Sequence, residues 1–380
     1  MEYTKISSVI GSLLLLFSLI LYPSLSHCTA YYVNGNTGND TEDGTQANPW
    51  ETIGHAVDEA SGNDTIYIYP GYYIESIDLK PIPKRELLLI GLGEDDSLPV
   101  IQSTAPDIHT IDLYEFSGTL QGLAVTGADA HGINIYETSS TARIINCQIY
   151  GNSYGIHITG PSSPLILNNR IFANRTCGIG NMDNSSAIID GNQIYENGIL
   201  SDALAGICVS VDSSPVIQNN IIRDNHPSGI NVRDTANPII VNNTLLNHNE
   251  QDATGTAVKV NQAKDIQSPV ILNNIIAYND TGLFSQEEIS YSENDYNNLY
   301  QNSIANMSGF TGGEHDISAD PLFHDVFFLQ HTSPCIDAGT STDSPDHDIN
   351  GVIRPRGSGI DMGACEYQNS FVPSILFLLR

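Results

Sequence analysis

The residues best suited to chemistry are a lysine, an arginine and a histidine that each follow Ile or Val in a short alternating segment. They are Lys259, Arg233 and His157. Removing a proton beside a carboxylate needs a side chain that accepts the proton and a cation that stabilises the resulting anion. We therefore take these three residues as catalytic candidates for an elimination. Lys259 is the preferred base because arginine resists deprotonation.

Acidic and amide side chains flank these candidates. Asp212 and Asp234 follow two of the segments and could hold Ca²⁺, which would neutralise a substrate carboxylate. Asn231, Asn134 and Tyr136 occupy neighbouring alternate positions and are predicted to bind substrate. The alternative interpretation is that all of these are ordinary solvated residues on the face of a sheet.

A second cation signal lies near the C-terminus. Asp346, Asp348 and Asn350, followed by Gly351, match the first half of a calcium loop, with alternate oxygen ligands and a glycine for the bend. Gly357 stands where an EF-hand has its bidentate glutamate, so the segment is not an EF-hand. We predict a Ca²⁺ site completed by another aspartate. The alternative is a polar turn that caps the fold.

A repeat places the first set of candidates on common elements. Aliphatic runs broken by an Asn or Gly pair recur six times between residues 142 and 284, with spacings of 22, 23, 28, 23 and 31 residues. The equivalent positions are Cys147, Asn169, Asn192, Asn220, Asn243 and Asn274. Such periods indicate a solenoid. Five residues later a second set, Asn152, Asn174, Asn197, Asn225, His248 and Asn279, predicts a ladder of stacked amides.

The apolar residues between these positions alternate with a period of two, which is typical of half-buried strands. No helix fits between them. We therefore predict an all-β protein, a right-handed parallel β-helix of nine or ten coils. Stacking would form one outward column of Asn134, His157, Cys208, Asn231 and Lys259 and a second of Tyr136, Thr159, Ser210, Arg233 and Asn261. Strand spacing of roughly 4.8 Å would let Arg233 and Lys259 face one ligand.

The whole chain divides into four predicted segments. Residues 1–30 resemble a secretory signal peptide, with Lys5, an apolar run and a small-residue end. Residues 31–325 form the β-helix, which begins with an amphipathic capping helix over 49–62. Residues 326–367 form an acidic cap block. Residues 368–380 form an apolar tail too short to span a bilayer, so we expect no transmembrane span in the mature chain.

Charge and cysteine content restrict the environment. A formal charge of −30 argues against nucleic acid and anionic membranes as partners. We expect an extracellular or cell-surface monomer, without a lipid anchor at Cys28. Cys335 and Cys365 are expected to form a disulfide in an oxidising compartment. Cys147, Cys177 and Cys208 are expected to be buried core or ladder thiols, and no transition-metal site is predicted.

Three segments resemble known families. Tyr31-Tyr32-Val33, residues 49–53 and Asp64 to Tyr73 resemble the opening of secreted pectate-lyase-like parallel β-helix proteins. The middle is similar to parallel β-helix repeats of the NosD type, and Ser333 to Glu366 is similar to the C-terminal block of choice-of-anchor surface proteins. The resemblance implies a secreted fold used by lyases, epimerases, glycosidases and non-catalytic binders.

We therefore predict a protein that binds a polysaccharide or cell-surface glycan and, if catalytic, cleaves it by β-elimination. Hydrolysis ranks lower, because the Asn-Thr-Asp, Asp-Asp and Gly-His-Gly landmarks of polygalacturonases do not occur in the repeats between residues 142 and 284. The alternative is a non-catalytic carbohydrate-binding or structural adhesin protein, in which Tyr136 and Tyr150 would serve as sugar platforms.

Overall fold

The computed structural model describes residues 28–79, 86–136, 142–199, 205–249, 255–261, 269–287 and 293–368. Most of the predicted leader and nearly all of the predicted apolar tail lie outside these residues. Three long parallel sheets, here called A, B and C in the order in which the chain enters them, enclose one core. The described part of the chain is a right-handed parallel β-helix, as the repeat predicts.

From β2 to β31 the strands follow in strict rotation through the three sheets, and β1 adds a first strand to sheet A. Sheet A contains β1 (Ala30–Val33), β2 (Thr65–Ile68), β5 (Leu88–Gly91), β8 (Thr119–Gln121), β11 (Arg143–Ile145), β14 (Leu165–Leu167), β17 (Ile188–Asp190), β20 (Val216–Gln218), β23 (Ile239–Val241), β26 (Val270–Leu272) and β29 (Asn294–Asp295). Sheet B contains β3 (Tyr72–Ile74), β6 (Val100–Gln102), β9 (Ala124–Thr126), β12 (Gln148–Tyr150), β15 (Arg170–Phe172), β18 (Gln193–Tyr195), β21 (Ile221–Arg223), β24 (Thr244–Leu246), β27 (Ile275–Ala277) and β30 (Asn298–Tyr300). Sheet C contains β4 (Ile77–Leu79), β7 (Ile111–Tyr114), β10 (His131–Tyr136), β13 (Tyr154–Thr159), β16 (Cys177–Asn181), β19 (Ala205–Val209), β22 (Ser228–Arg233), β25 (Thr256–Asn261), β28 (Thr281–Ser285) and β31 (Ala305–Ser308).

Aliphatic side chains stack inside the solenoid because each pairs in register with its equivalent one turn away. In sheet A, Ile144 pairs with Ile166, which pairs with Ile189, and the series continues through Ile217, Ile240 and Ile271. All six are fully buried. Each turn therefore gains its apolar contacts from its two neighbours. The core of the solenoid is a continuous row of such contacts along its axis.

The corner between sheets A and B explains the paired asparagines. The first residue of each pair turns the chain with a left-handed backbone, as Asn168 (φ 56°) and Asn219 (φ 54°) show, and asparagine tolerates that conformation. The second residue is buried and forms a ladder. The Asn192 amide Nδ2 donates to Asn220 Oδ1 at 3.0 Å and to the Ile166 carbonyl at 2.8 Å. The amide side chain thus satisfies backbone carbonyls that would otherwise be unpaired.

The predicted second ladder forms at the corner between sheets B and C. Asn174 Nδ2 donates to Asn197 Oδ1 at 3.0 Å, and Asn197 Nδ2 donates to Asn225 Oδ1 at 2.9 Å. His248 continues this ladder through Nδ1, which lies 2.8 Å from Asn279 Oδ1. The glycine that opens most sheet C strands leaves room for the ladder: a Cβ at Gly206 would lie 2.8 Å from Asn225 Nδ2.

One short α-helix, α1 (Ile53–Glu59), lies within the segment predicted to cap the N-terminus. The Thr52 hydroxyl caps it by accepting from the His55 amide at 3.3 Å. Ile53, Ala56 and Val57 are buried toward the solenoid. The helix therefore covers the apolar end of the first turn. A 3₁₀ turn at Asp95–Ser97 is the other short helical segment in the described residues.

The C-terminal block, here taken as residues 323–367, lies along the side of the solenoid. It includes the antiparallel pair β32 (Phe323–His324) and β33 (Phe328–Leu329). Its apolar residues pack against the outer faces of sheets A and B over the later turns, as in the cluster of Leu246, Ile275, Ala277, Leu329, Cys335 and Met362. A buried ion pair joins Arg354 Nη1 to Glu366 Oε1 at 2.5 Å and holds the block together.

The disulfide prediction was wrong in both of its parts. Cys335 and Cys365 are buried free thiols, because Cys335 packs near Leu246 whereas Cys365 packs in a separate cluster with Ile221. Cys177 and Cys208 form the disulfide instead, with their Cα atoms 6.3 Å apart on neighbouring turns of sheet C. The stacking of turns, which linear spacing does not reveal, brings this pair together. Cys147 is a buried free thiol, as expected.

Candidate functional site

The outward column predicted on sheet C is present in the register of its strands. Successive partners along it are Asp78, Asp112, Asn134, His157, Gly180, Cys208, Asn231, Lys259 and Phe284. The inward residues of the same strands, such as Ile156 and Ile158, are fully buried. Sheet C therefore displays most of the candidate residues on one outer face.

His157 is oriented by a chain of polar contacts along this column. Its Nδ1 lies 3.1 Å from Asn134 Oδ1, and Asn134 Nδ2 donates to Asp112 Oδ1 at 2.8 Å. Because an ionised carboxylate can only accept, Asp112 fixes the Asn134 amide with its oxygen toward the imidazole. The His157 Nδ1 then carries the proton, and Nε2 becomes the acceptor atom of the ring.

His157 lies at one end of a stack of three imidazoles. The His131 ring lies between the other two, with centroids 4.1 Å from His157 and 4.8 Å from His109. Burial lowers the pKa of His131 to about 3, and its two histidine neighbours add to this effect. Burial likewise lowers the pKa of His157 to about 4. Both rings are therefore neutral at neutral pH, so His157 can accept a proton or a hydrogen bond.

Tyr154 and Arg233 extend this cluster over a gap in the column. Gly180 has no side chain, and the Tyr154 ring leans over it, so that a Cβ at Gly180 would lie 3.0 Å from Tyr154 Cδ1. Burial raises the pKa of the Tyr154 phenol, while the Arg233 charge opposes that rise. The Arg233 charge is therefore close enough to act on the Tyr154 phenol.

The structure separates the three catalytic candidates into two groups. Lys259 pairs with Asn231, and Arg233 pairs with Asn261, so Lys259 and Arg233 are diagonal neighbours, with Cα atoms roughly 8 Å apart by strand geometry. His157 lies four strand spacings from Lys259, roughly 19 Å along the column. Lys259 and Arg233 can meet the same sugar unit, but His157 and Lys259 cannot act on one bond.

The predicted substrate-binding residues differ in accessibility. Tyr136 is partly exposed, and its hydroxyl lies 3.4 Å from Asp112 Oδ2. Asn134 is 9% exposed and Asn231 is 1% exposed. Asn134 already uses its side chain to connect Asp112 with His157, so its contribution in this structure is to orient the imidazole. Tyr136 remains the accessible polar contact of this group.

Asp212 and Asp234 lie at exposed turns after β19 and β22. Both have left-handed backbones, with φ of 55° and 57°. Their strands place Asp234 opposite Val211 and leave Asp212 one step further along, where its amide donates to Thr235 Oγ1 at 2.9 Å. The two carboxylates are therefore on neighbouring turns but out of register by one residue. Ca²⁺ binding between them stays a prediction.

The predicted calcium loop forms a tight turn. Asp348 is 1% exposed, and its Oδ1 accepts from the amides of Asn350 at 2.7 Å and Val352 at 2.8 Å. The Asp346 carboxylate points to solvent and contacts His347 Nδ1 at 2.6 Å. Within the described ranges, no group of three or more His, Cys, Asp or Glu residues is arranged to hold a metal ion. These contacts match the polar-turn alternative, and Ca²⁺ binding there stays a prediction.

Sequence reasoning missed Asp112, His131, His109 and Tyr154. Asp112 lies between Ile111 and Leu113, in the same alternation as Asn134 between Ile133 and Ile135. That alternation was a usable signal, but the early turns lack the paired asparagines that set the register. His131 and Tyr154 lie just before the alternating residues of their strands, and only the folded stack shows that they meet His157.

Aromatic residues on sheet B form a stack that occupies one face of Tyr150, and the use of Tyr150 as a sugar platform stays a prediction. The Tyr150 and Phe172 rings lie 5.1 Å apart with planes 12° from parallel, and the Phe172 and Tyr195 rings are equally close at 2°. The Arg223 guanidinium covers Tyr195 at 4.4 Å from the ring centre. Stacking on a sugar needs a free ring face, and the facing sides of these rings are occupied by one another.

Comparison with known proteins supports the fold. The family model described as right handed beta helix region matches residues 100–201 and 199–315. A crystal structure of pectate lyase Pel9A superposes with a TM-score of 0.57 at 16% identity, covering 91% of this chain and 98% of that one. An alginate lyase from Paenibacillus sp. has a TM-score of 0.47 at 17% identity, covering 70% of this chain and 94% of that one.

The A-module of a mannuronan C-5 epimerase from Azotobacter vinelandii is also similar, with a TM-score of 0.44 at 15% identity, covering 76% of this chain and 97% of that one. No curated protein is significantly similar in sequence. At 16% identity the likeness to the pectate lyase shows the shared fold alone. In the described residues, no helix is long and apolar enough to cross a membrane.

Proposed function

Since the chain belongs to the right-handed β-helix family, we propose that it binds an acidic polysaccharide along the outer face of sheet C and cleaves it by β-elimination. One observation carries the proposal: the strand register places Asn231, Lys259 and Arg233 on neighbouring positions of one outer face. The carbohydrate-active structures that share the fold, among them lyases for pectate and alginate, agree with this substrate class.

The proposed chemistry assigns separate tasks to the two basic residues. Arg233 binds the uronate carboxylate through its planar guanidinium, which favours the developing anion. Lys259 removes the proton at C5. The electron pair forms a double bond between C4 and C5, and the bond from C4 to the glycosidic oxygen breaks. The leaving oxygen then takes a proton. For this step Lys259 must present a free amine to the proton at C5.

Calcium is part of the proposal as a bridging cation. Asp212 and Asp234 would supply two carboxylate ligands, and substrate oxygens and water would supply the others that Ca²⁺ requires. A bridging cation also answers the overall charge of −30, which otherwise repels an acidic polymer. We expect binding at low salt to weaken when the cation is chelated.

Export through the leader in residues 1–30 completes the proposal. The disulfide between Cys177 and Cys208 supports it, because such bonds persist in oxidising compartments. The proposed location is extracellular or at the cell surface, where a soluble enzyme would meet polymeric glycans.

The decisive experiment incubates the mature protein with polygalacturonate, alginate and glycosaminoglycans, with Ca²⁺ or with a chelator. Unsaturated product is followed by its ultraviolet absorbance. We expect Lys259→Met to lower the rate about 10²- to 10⁴-fold, as loss of a general base does. Arg143→Gln, on the exposed face of sheet A, is the matched control and should retain the rate. Full activity of Lys259→Met would exclude this residue as the base.

A non-catalytic glycan binder is the second candidate function. It is favoured by the separation of His157 from Lys259 by four strands, which prevents the neutral imidazole from acting together with Lys259 on one bond. Measurable binding of one of these polymers, without any gain in absorbance, would establish this function in place of elimination.

A further inference from the structure

One row of asparagines lies at the corner between sheets A and B, and in the later turns these side chains bind the C-terminal block. Asn219 Nδ2 donates to the His347 carbonyl at 3.0 Å, Asn242 Nδ2 to the Asp361 carbonyl at 2.9 Å, and Asn273 Nδ2 to the Thr340 carbonyl at 2.7 Å. All three acceptors belong to the C-terminal block. The left-handed corner residue of each of these three turns thus presents an amide that binds oxygen atoms of the block, whereas Gly191, the corner residue of the turn before them, has no side chain.

The same row continues into earlier turns that the block does not cover. Asn146 and Asn168 are the equivalent corner residues, with φ of 53° and 56°, and both are exposed. They line a cavity of about 360 Å³ together with Gln121, Gln148, Arg170 and Glu94. Cavities that bind small ligands begin at about 300 Å³. A polar recognition row therefore faces an open cavity here.

The adjoining column of sheet B argues against a polypeptide as the occupant. Gln148, Arg170 and Gln193 are in register with Ile221, Thr244 and Ile275 of the later turns. Ile221 and Ile275 are 1% exposed beneath the apolar residues of the block. Where protein covers the column, two of its three residues are apolar and Thr244 accepts from the Ala364 amide, whereas Gln148 and Arg170 at the cavity are polar, so the cavity fits a hydroxylated ligand.

Arg170 adds a preference for negative charge. Its Nη2 donates to the Tyr195 hydroxyl at 3.3 Å, and its Nε is buried without a partner in the part of the chain that the structure describes. The half-buried Arg170 side chain lines the cavity, and its planar, charged guanidinium is suited to pairing with a carboxylate there. The four amide side chains can both donate to and accept from sugar hydroxyls.

We propose that this cavity is a second glycan site, distinct from sheet C, that binds a uronate unit through Arg170 and the amides of Asn146 and Asn168. This second proposal takes only the class of ligand, an acidic glycan, from the proposed function. This site, at the side of the solenoid, would bind one part of an acidic polymer while another part of the same polymer lies across sheet C.

Calorimetric titration with oligogalacturonate and oligomannuronate tests the site. Lys259→Met serves as the background, so that turnover does not alter the ligand. We expect Arg170→Gln, and separately the double change Asn146→Gly with Asn168→Gly, to weaken binding of at least one of these ligands at least tenfold. Glycine retains the left-handed backbone and removes only the amide. The control is Asn247→Gly, an exposed left-handed residue at the other corner, which should bind like the background.

Unchanged affinity for both acidic oligosaccharides in both altered proteins would overturn the proposal. So would a loss of affinity that Asn247→Gly shares, or an affinity for a neutral cello-oligosaccharide equal to that for the acidic ones. The result is separable from the proposed function. If the wild-type protein yields no unsaturated product, elimination fails, while the affinity comparison still decides the cavity.

Discussion

At the scale of single residues, His248 is the exception in the second ladder. Where its equivalents are asparagines, their Nδ2 atoms donate to strand carbonyls, as Asn225 does to the Ile194 carbonyl at 2.9 Å. His248 is fully buried, and its Nε2 has no hydrogen-bond partner in the described part of the chain. Burial lowers the pKa of this imidazole to about 4. The repeat predicts that residue 248 lies in the ladder. A histidine there weakens the ladder, because its Nε2 makes no hydrogen bond to a strand carbonyl in the described residues.

We therefore expect His248→Asn to stabilise the protein by about 1 to 3 kcal/mol at pH 7, the cost of one unsatisfied buried polar group. Urea unfolding measures the change. The converse replacement, Asn225→His, should destabilise by a similar amount. Lower stability of His248→Asn would show that the lost ring volume outweighs the added hydrogen bonds.

The disulfide also acts at this scale. Cys177 and Cys208 are 31 residues apart, and closing a loop of that length in the unfolded chain corresponds to about 3 to 4 kcal/mol. We expect the double change Cys177→Ala and Cys208→Ala to lower the free energy of unfolding by this order. A reducing agent should destabilise the wild type and leave the double variant unaffected. An equal response of both proteins would mean that the bond is not formed in solution.

At the scale of elements, the glycine that opens a sheet C strand explains how strand and ladder fit together. In Gly206, a Cβ would lie 2.8 Å from both the Gly229 carbonyl oxygen and Asn225 Nδ2. Both contacts are tighter than van der Waals packing allows. The Gly-Ile-x-Val segment is therefore a packing requirement of the corner as well as a strand signal.

Gly206→Ala is expected to destabilise the protein by about 1 to 3 kcal/mol, because the added methyl displaces either a backbone or a ladder amide. Thermal unfolding followed by circular dichroism measures it. Gly71→Ala provides the comparison, since its Cβ would lie 3.5 Å or more from its neighbours. Similar losses at both positions would remove the steric explanation.

At the scale of the whole molecule, two regions have opposite pH responses. His131, His157 and His248 in the solenoid have lowered pKa values, to about 3, 4 and 4. Their unfolded forms take up protons first, so stability is lost as the pH falls from about 6.5 toward 4. In the C-terminal block, burial raises the pKa of Asp361 to about 6, and Glu366 adds to the rise. Its contribution is present below pH 3.8 and is lost as the pH rises through about 6.

Hydrogen exchange between pH 4.5 and 7, corrected for intrinsic rates, should therefore show opposite trends. Acidification should reduce protection in the solenoid turns and increase it in residues 335–366. Each group contributes at most about 1.4 kcal/mol per pH unit, and less where it is partly exposed. His248→Asn should reduce the acid sensitivity of the solenoid alone. A common trend in both regions would contradict this assignment.

The sequence by itself determined the architecture. Alternating Ile and Val residues, a Gly at the second position of most sheet C strands and an Asn at most corners repeat often enough to predict the direction and register of sheet C, including the column of Asn134, His157, Asn231 and Lys259. Each feature is local, because a turn of a solenoid contacts only its neighbours. Regular spacing therefore translates directly into position.

Only the tertiary structure decided which side chains meet across turns and how the C-terminal block lies. It pairs Cys177 with Cys208, connects Asp112 through Asn134 to His157, and separates His157 from Lys259. It also lays the block over Asn219, Asn242 and Asn273 while leaving Asn146 and Asn168 at an open cavity. These contacts depend on the direction of side chains and on the position of the C-terminal block, which lacks the repeat. The spacing of the repeats predicts neither of them.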